Sequence, residues 1–402
     1  MPNLLSTLTG VPYPFERIEE FAENGESLEV ALPGVERARP RPGRHLWERY
    51  AEFLPFQTMS ASVSLGEGNT LLVPAGEQLK AFTGLHHLLL KNETQNPTWS
   101  FKDRGSLACI FMAQALGEKI TATISTGNMG HSIAAYAAKA GIRALVIVPE
   151  FAPAEKLRPM AMHGATVLKV RAPDYALMKK TVLGLAREFN LRIVSGNGPV
   201  RVEGYKLTAF EMWEQMSGEA PDFIAVPTSA CGHIRGLFKG YRELLAAGLI
   251  RRLPRMVVVQ AANNSPIVSA IKCGLKQVVP FSNFHTVAEA ITTGNPMGGD
   301  EIIDKAYKHQ WLAEDVAEAE ILESQRLLAR GGYFVEPAAA TTLGAVRKLR
   351  LAGAIDPGAS VVLMLTGAGL KDLEALKLQP FEVIESHVDA VRRDLEQALG
   401  RG

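Results

Sequence analysis

Short apolar runs alternate along most of the chain with longer segments in which apolar positions recur at helical spacing. The pattern predicts helices over 101–117 and 131–141, each placed between two apolar runs. A second series begins at 222–248, where a strand leads through a loop of small residues into a helix. Strands are predicted at 85–93, 120–126, 143–149, 166–170, 255–262 and 359–367. Alternation of this kind is typical of βαβ units and of a mostly parallel sheet.

Two such series predict an α/β protein with two lobes around a cleft. We expect an irregular N-terminal wrapping segment at 1–60, a large lobe made of 61–95 and 196–402, and a small lobe at 96–195. Ligands of open α/β sheets bind beyond the carboxyl ends of the strands, so the loops after strands are the candidate sites. No GxGxxG or Walker A motif follows a predicted strand, which disfavours a nucleotide-binding protein.

Composition narrows the class of partner. The 402 residues contain 43 Lys and Arg against 42 Asp and Glu, so neither nucleic acid nor an anionic membrane is an expected partner. Cys109, Cys231 and Cys273 are too scattered for a disulfide framework or a zinc site, and no metal is predicted. The absence of a signal peptide pattern and of a long apolar run favours a cytoplasmic protein.

The first candidate loop is NPTWSFKDRGS, residues 96–106, between a predicted strand and a predicted helix. Lys102 lies at the start of that helix. A lysine held in a partly dry cleft loses basicity and becomes a nucleophile that can form an imine. The alternative is that Lys102, Asp103 and Arg104 lie on a solvated helix face.

The second candidate loop is STGNMGHS, residues 125–132, which also joins a strand to a helix. Hydroxyls and exposed amides at a helix start form a site for a carboxylate or a phosphate. Asn128 could also hydrogen-bond a ring hydroxyl of a cofactor. The alternative is a plain N-cap, because Ser, Thr and Asn are the usual capping residues.

Two further loops follow core strands. PTSACGHIRG, residues 227–236, offers successive N–H groups to a phosphate, or is simply a tight turn that needs glycine. LTGAGLKD, residues 365–372, places the hydroxyl of Thr366 at a strand end, facing either the cleft or a local backbone group.

The motifs NPT-x-SFKDRG, STGN, VP…GHIRGLFKGY and TG-x-GLKD, in this order, resemble those of the threonine synthase family. Supporting stretches are SLGEGNT at 64–70, GEAPDFIAVP at 218–227, GNP at 294–296 and EILESQRLLARGGYFVEPAAA at 320–340. The resemblance covers about residues 60–375. It implies a fold type II pyridoxal-5′-phosphate enzyme, with two lobes that each carry a mostly parallel sheet flanked by helices, and the cofactor in the cleft between them.

The resemblance also implies a role for each matching residue. Lys102 would carry the cofactor as a Schiff base and move protons, and Phe101 would lie against the cofactor ring. Asn128 would bond the ring hydroxyl, and Thr366 would face the pyridine nitrogen. The cofactor phosphate would be held by Ser229, Ala230, Cys231, Gly232 and His233. The α-carboxylate of the substrate would be held by Ser125, Thr126 and Gly127.

Threonine synthases hold the phosphate of their substrate on a segment like NS-x-NP-x-R-x-EGQKT, and its counterpart here is VSGNGPVRVEGYKLT, 194–208. Ser195 and Arg201 are the candidate phosphate ligands, since arginine is a natural partner of a phosphate. The alternative for Arg201 is a salt bridge to Glu203 or Glu211.

Several positions depart from the family pattern. Met129 replaces a threonine that helps to bind the substrate phosphate, and Trp99 fills a position that is usually small, which would narrow the entrance beside Lys102. Ser229 and Ala230 replace a glycine and an asparagine of the cofactor-phosphate loop. Val194 and Tyr205 replace an asparagine and a glutamine. The departures concern the substrate more than the cofactor.

The expected activity is that of a lyase that converts O-phospho-L-homoserine and water to L-threonine and phosphate, with a small amino acid as substrate and a homodimer as the assembly. The run GNMGH is closer to the loop of dehydratases and cysteine-synthase-type enzymes, so β-elimination or β-replacement on a related amino acid, including a phosphorylated one, is the alternative. A non-catalytic homologue that binds the cofactor is a remoter one.

Overall fold

The computed structural model describes residues 2–15, 19–173, 175–282, 285–380 and 383–399, and within them the strands form three sheets. The N-terminal sheet contains β1 (Asn3–Ser6), β2 (Pro12–Tyr13) and β3 (Leu28–Ala31). The six-stranded sheet contains β4 (Leu72–Pro74), β5 (His87–Asn92), β9 (Phe223–Pro227), β10 (Arg255–Ala261), β11 (Leu312–Val316) and β12 (Ser360–Leu365). The remaining sheet contains β6 (Ile120–Ile124), β7 (Arg143–Pro149) and β8 (Thr166–Val170).

The helices occupy the segments between these strands, most of them as expected from the helical spacing. The first seven are α1 (Leu46–Arg49), α2 (Glu77–Thr83), α3 (Lys102–Ala115), α4 (Asn128–Ala140), α5 (Ala154–Met162), α6 (Tyr175–Glu188) and α7 (Pro199–Gln215). They are followed by α8 (Gly232–Ala246), α9 (Pro266–Lys272), α10 (Gly299–Lys308), α11 (Glu318–Arg330), α12 (Pro337–Leu351), α13 (Leu373–Leu376) and α14 (Val391–Ala398). None of the described helices is long and apolar enough to cross a membrane.

The six-stranded sheet has the order β11-β10-β9-β12-β5-β4, and all of its neighbouring pairs are parallel except β4 with β5. The central strand β9 is apolar at every position, and β12 at every position after Ser360, because both faces of the sheet are covered. On β9, Ile224 and Val226 face the cluster that includes α7 and α8, whereas Phe223 and Ala225 face the cluster that includes α12. The apolar strands of the sequence are therefore those of the sheet that carries the site.

The helices beside that sheet approach one another closely because glycines lie at their crossings. A Cβ atom on Gly204 of α7 would overlap the carbonyl of Arg104 on α3. A Cβ atom on Gly236 of α8 would lie 2.5 Å from the Cβ of Tyr205 on α7. These contacts bring α7 against the helix that begins at Lys102.

The smaller parallel sheet has the order β6-β7-β8, with helices α4 and α5 packed against it. All three of its strands lie within 96–195, and the strands of the six-stranded sheet lie outside that range. The division of the chain into two lobes at these boundaries stays a prediction.

The N-terminal segment differs from the expectation. Part of it is regular, because β1 pairs antiparallel with both β2 and β3. The side chains of Leu4, Leu28 and Val30 form a small buried cluster of their own. The expectation of an irregular segment was wrong because strands this short carry too few residues to show a clear alternation of apolar and polar positions.

Candidate active site

The candidate loops meet at the carboxyl ends of parallel strands. β5 and β12 pair in register up to Asn92 and Leu365, so the loops that carry Lys102 and Thr366 start side by side. The Phe101 N–H donates to the Thr366 carbonyl at 3.0 Å, and the Ala368 N–H donates to the Trp99 carbonyl at 3.0 Å. The lysine loop is therefore hydrogen-bonded along its length to the loop after the last core strand.

Lys102 is the first residue of α3 and is partly buried. Its Nζ lies 4.3 Å from the centre of the Phe101 ring and 5.9 Å from that of Tyr205, and no described residue hydrogen-bonds or pairs with it. Burial lowers the pKa of this amine to about 7, with a further lowering from Arg201 and an opposing effect of Glu336. A large part of the population is then neutral at physiological pH, as a nucleophilic lysine requires.

The neighbours of Lys102 exclude the alternative of a solvated helix face. Asp103 and Arg104 are buried, with 0% and 2% of their surface exposed. Asp103 accepts hydrogen bonds from the N–H of Thr98 at 2.6 Å and from the hydroxyl of Ser132 at 2.6 Å. These contacts anchor the start of α3, and the lysine amine takes no part in them.

A carboxylate that the sequence reading missed connects two predicted cofactor ligands. Asn128, the first residue of α4, donates from Nδ2 to Glu336 Oε2 at 2.9 Å, and the Thr366 hydroxyl donates to Glu336 Oε1 at 3.4 Å. Thr366 thus contacts a side chain, and the alternative of a local backbone partner was wrong. Burial raises the pKa of Glu336 above its usual range. Glu336 directly precedes Pro337 in the VEPAAA stretch, and this stretch is the sequence signal from which it could have been found.

The second loop combines capping with exposed amides. The Ser125 hydroxyl accepts from the N–H of Gly127 at 3.4 Å and of Gly130 at 3.2 Å, but the N-cap residue of α4 is Gly127, so the alternative of a plain N-cap by Ser, Thr or Asn was wrong. Thr126 is partly buried beside it. The helix begins earlier than predicted, at Asn128, which places Met129 in the first turn of α4. Whether 125–127 hold a carboxylate stays a prediction.

The third loop, 229–233, leads into α8 through a left-handed residue. Cys231 has φ of 72° and precedes Gly232, the first helical residue. A Cβ atom on Gly232 would overlap the Gly196 carbonyl, so this glycine meets a close approach of backbone. No described residue accepts a hydrogen bond from the N–H groups of Gly232, His233 or Ile234. Free N–H groups at the start of a long helix form an anion site.

The rest of that loop is held by a residue outside the predicted set. The Ser229 hydroxyl bonds the Thr293 hydroxyl at 2.7 Å and accepts from the Thr293 N–H at 3.2 Å, while Ala230 is partly buried beside it. Thr293 directly precedes the GNP stretch, which was the signal for it. The Ser229 hydroxyl therefore attaches this loop to the loop that contains Thr293.

Three rings stack beside Lys102. The Phe101 and His233 rings lie 3.9 Å apart and nearly parallel, and Tyr205 is tilted against Phe101 at 5.0 Å. Burial lowers the pKa of His233 to about 3, and neither of its ring nitrogens has a hydrogen-bond partner in the described structure. His233 is thus neutral, and it can offer a cofactor phosphate its backbone N–H and one ring N–H but no positive charge.

These residues fit pyridoxal 5′-phosphate. The site offers the unpartnered amine of Lys102, whose basicity is low, and free N–H groups at the start of α8. It also offers the Thr366 hydroxyl and the Asn128 amide, which both donate to the Glu336 carboxylate. Lys102 would bind the aldehyde carbon, and α8 would hold the phosphate. The assignment of each residue to a part of the cofactor stays a prediction.

The predicted substrate-phosphate segment starts α7. Arg201 donates from Nε to the Ser195 carbonyl at 3.0 Å and from Nη1 to Ser106 Oγ at 3.3 Å. The alternative of a salt bridge was wrong, since Glu203 pairs with Lys206 and Lys239, and Glu211 with Lys91 and Arg104. Arg201 is 1% exposed, and its Nη2 has no partner in the described structure.

Met129 and Trp99, the two departures from the family pattern that concern the substrate, have different surroundings. A Cβ atom on Gly196 would be 3.6 Å from Met129 Sδ and 3.5 Å from the Ala230 Cβ, so Met129 and the predicted cofactor-phosphate loop both approach the predicted substrate-phosphate segment at Gly196. Trp99 is 51% exposed and has φ of 63°. Such backbone in a bulky residue is strained and is found most often at functional sites.

Lys371 is a second lysine at this site that the sequence reading did not single out. Its Nζ donates to the Thr98 carbonyl at 2.6 Å and contacts His131 Nδ1 at 3.0 Å. Burial lowers the pKa of Lys371 to about 8 and that of His131 to about 3. Lys371 therefore connects the loop after β12 with both the lysine loop and α4.

The geometry is that of a cofactor enzyme, and the comparisons with known proteins agree. Residues 63–367 match the family described as "Pyridoxal-phosphate dependent enzyme". Since this match covers most of the chain, the chain belongs to that family. The predicted fold class, cofactor and enzyme class are thereby confirmed.

Sequence relatives narrow the family further. The chain is 38% identical over 355 residues to threonine synthase of Methanocaldococcus jannaschii, with 87% of each chain covered. It is 36% identical over 349 residues to that of Methanosarcina acetivorans, covering 86% of this chain and 85% of the relative. Among pyridoxal-phosphate dependent enzymes, the chain therefore belongs to the threonine synthase family.

Solved structures agree on the fold. The processed form of threonine deaminase isoform 2 from Solanum lycopersicum superposes with a TM-score of 0.66, at 18% identity, covering 86% of this chain and 96% of that one. At this level of identity the likeness concerns the fold alone.

Proposed function

We propose that the chain converts O-phospho-L-homoserine and water to L-threonine and phosphate. The observation that carries this proposal is the placement of Lys102. Its amine has no partner, its pKa is lowered to about 7, and Arg201 lies close enough to contribute to that lowering. Threonine synthase relatives at 36–38% identity over most of the chain support the same reaction.

The cofactor, when bound, supplies an electron sink for the pair that is left when a C–H bond of the substrate breaks. The contribution of the chain is to hold groups in place around that chemistry. Asn128, Glu336 and Thr366 form one hydrogen-bonded set on the cofactor side of the cleft. The start of α8 provides the N–H groups for the phosphate.

Lys102 is the residue that moves protons. In its neutral form the Nζ accepts a proton from a substrate carbon, and the ammonium form returns it at another carbon. A pKa near the working pH makes both directions accessible, and a positioned acid or base is worth roughly 10²- to 10⁴-fold in rate. The rings of Phe101 and Tyr205 keep water away from this amine.

Two groups of donors would orient the substrate. Residues 125–127 lie at the start of α4 and would receive the α-carboxylate. The unpartnered Nη2 of Arg201 would receive the distal phosphate, since a buried guanidinium without an anion lacks a hydrogen bond that a phosphate oxygen supplies. Holding both ends of the substrate fixes the carbons between them against Lys102.

A second candidate function is β-elimination or β-replacement on a related amino acid. One observation favours it: the Met129 thioether lies beside Gly196 and Ala230, where the family has a threonine hydroxyl. A thioether cannot donate a hydrogen bond to phosphate. A substrate with a smaller or uncharged leaving group would suit this position better.

The test is a spectrum of the purified protein before and after O-phospho-L-homoserine, with phosphate and threonine assayed in the same tube. An absorbance band near 410–420 nm, an approximate expectation for the lysine-bound cofactor, should shift as the two products appear in equal amounts. A band that does not respond to this substrate would favour the second candidate. A protein that acquires no band when the cofactor is added would contradict both.

The assembly and the compartment belong to the same proposal. We infer a homodimer in the cytoplasm from the family resemblance and the scattered cysteines. Sedimentation velocity at several protein concentrations tests the assembly, with a single dimeric species as the expected result.

A further inference from the structure

A carboxylate from the N-terminal segment reaches into the predicted substrate-phosphate segment. Glu20 follows the N-terminal strand β2, and its Oε2 accepts a hydrogen bond from the Ser195 N–H at 2.8 Å. A Cβ atom on Gly198 would overlap the same carboxylate, so Gly198 leaves the space in which Glu20 lies. The carboxylate of Glu20, which is far away in sequence, thus lies against the backbone just before α7.

The segment that Glu20 contacts has the features of an anion site. α7 is seventeen residues long and begins at Pro199, so the backbone before it presents N–H groups to an anion. Arg201, in the first turn, is 1% exposed, and within the described structure its Nη2 makes no hydrogen bond of normal geometry, with the neutral Tyr205 hydroxyl as its neighbour. A buried guanidinium with an unused donor is an independent sign that an anion is bound here during the reaction.

Glu20 is partly buried, and few contacts hold its carboxylate. Its Oε1 lies 3.8 Å from Arg192 Nη1, whereas Arg192 bonds Glu118 more closely, at 2.8 Å. Burial raises the pKa of Glu20 above its usual range, although Arg192, Ser195 and Arg201 each act in the opposite direction. The carboxylate therefore gains little from this position and can be displaced by a ligand that binds the same donors.

The surrounding segment gives Glu20 a defined place. Asn197 donates from Nδ2 to the Ser27 hydroxyl at 2.9 Å, and Phe15 packs against the cluster that contains Val194 and Val200. These contacts lie on both sides of Glu20 along the chain. Glu20 can therefore leave the Ser195 amide while the rest of the segment stays attached.

We propose that Glu20 is a specificity-determining residue: its carboxylate occupies the anion-binding segment 195–201, and the phosphate of a substrate must displace it in order to bind. The inference rests on the proposed function, because it concerns the distal group of the same substrate. It assigns to the N-terminal segment a part in selecting between phosphorylated and unphosphorylated amino acids, and it makes phosphate binding and release of Glu20 mutually dependent.

The experiment measures inorganic phosphate binding to the holoenzyme by isothermal titration calorimetry, in the wild type and in Glu20→Gln. Glutamine keeps an oxygen that accepts from the Ser195 N–H and removes the charge. The variant should bind phosphate about tenfold more tightly or better, because a like charge at the site opposes the anion. Affinity that is unchanged or weaker would overturn the proposal.

Glu118→Gln is the matched control, because Glu118 pairs with the same Arg192 but does not contact segment 195–201. It should leave the affinity for phosphate within about twofold of the wild type. An equal gain in both variants would mean that the affinity depends on the charge of Arg192, and would also overturn the proposal.

A measurement on the wild type covers the case in which Glu20→Gln does not fold. Hydrogen exchange of the peptide containing Ser195 and of the peptide containing Glu20 is followed with and without saturating phosphate. Faster exchange at 19–22 on phosphate binding, with added protection at 194–198, is expected. Bound phosphate with unchanged exchange at 19–22 would contradict the proposal.

These outcomes are separate from those of the activity assay. A wild type that makes no threonine, together with tighter phosphate binding by Glu20→Gln, would refute the proposed reaction and keep the role of Glu20. A wild type that makes threonine, with no change in phosphate affinity, would do the reverse. In an active enzyme the variant should also show a lower KM for O-phospho-L-homoserine.

Discussion

Two buried groups of charged residues lie on either side of the start of α3, and they differ in how their hydrogen bonds are used. In the first group, Arg104 bonds Glu93 and Glu211, and Lys91 bonds Glu211, the Thr70 carbonyl and Gln215. Almost every donor there has an acceptor from within the chain. A buried network of this kind fixes one arrangement of the helices around it.

The second group surrounds Lys102 in the cleft. Among the described residues Lys102 has no hydrogen-bond partner, both His233 nitrogens are unpartnered, and Arg201 Nη2 and the Tyr205 hydroxyl have at most each other. Buried polar groups without partners cost free energy. A bound ligand can supply such missing contacts, so we expect the second group to be functional and the first to be structural.

The largest expected effect comes from the lysine of the cleft. Lys102→Ala should lower turnover by about 10⁴-fold or more, because it removes both the cofactor attachment and the proton carrier. Circular dichroism should show an unchanged fold, since Lys102 makes no hydrogen bond that the fold needs. Product release and cofactor absorbance measure the loss. Residual turnover within tenfold of the wild type would mean that another residue carries the cofactor.

The lysine of the paired group should show the opposite behaviour. Lys91→Met should reduce the free energy of unfolding by about 3 kcal/mol, because it leaves a buried carboxylate with one partner fewer. Urea denaturation measures this effect. The kcat of the folded enzyme should stay within about twofold of the wild type, and a selective loss of kcat would contradict the distinction between the two groups.

Glu336 combines features of both groups. It is buried and hydrogen-bonded, as in the first group, but its hydrogen bonds go to predicted cofactor ligands. Glu336→Ala should lower kcat by roughly 10- to 100-fold, because Asn128 and Thr366 each lose a hydrogen bond to a charged group. Glu336→Gln retains an acceptor and should recover part of the activity. Equal losses in both variants would assign the effect to charge and not to positioning.

The pKa of Lys102 predicts a pH dependence for cofactor capture by the apoprotein. This pKa is lowered to about 7 from an ordinary 10.5. The neutral amine is therefore available at a pH that is three to four units lower than for an exposed lysine. The rate of capture, followed by absorbance, should rise through pH 7 and then level off. A rate that keeps rising to pH 10 would show that the cleft does not lower this pKa.

The smallest expected effect concerns Met129. Met129→Thr restores a hydroxyl beside Gly196 and should raise turnover of O-phospho-L-homoserine by a few-fold, about the value of one modest hydrogen bond. Steady-state kinetics with this substrate measure it. The proposal for Met129 fails if turnover is unchanged while the substrate still binds.

Sequence reasoning located the core strands and the lysine because both follow local rules. The strand at 143–149 and the strand at 166–170 end where their apolar runs end. Lys102 was recognised from its place between a strand and a helix and from the family motifs around it. Cofactor-binding loops of this kind are contiguous, so a short stretch of sequence describes them well.

The residues that were missed act across long distances in the chain. Glu336 meets Asn128, and Glu20 meets Ser195, with well over a hundred residues between the partners in each case. No local pattern reports such a pair, because the carboxylate of either residue would suit a solvated surface equally well. The expected salt bridges of Arg201 were wrong for the same reason, since Glu203 and Glu211 are already occupied by lysines and Arg104 from other elements.

The backbone hydrogen bonds between the lysine loop and the loop after β12 have a mechanical consequence. Phe101 and Trp99 are bonded to Thr366 and Ala368, so Lys102 is attached to the six-stranded sheet although it begins a helix that leads away from it. Helix α4 is attached to the same two loops, because the Ser132 hydroxyl donates to Asp103 and His131 contacts Lys371. The residues proposed to hold the substrate carboxylate, 125–127, can therefore move relative to Lys102 only if these two contacts break.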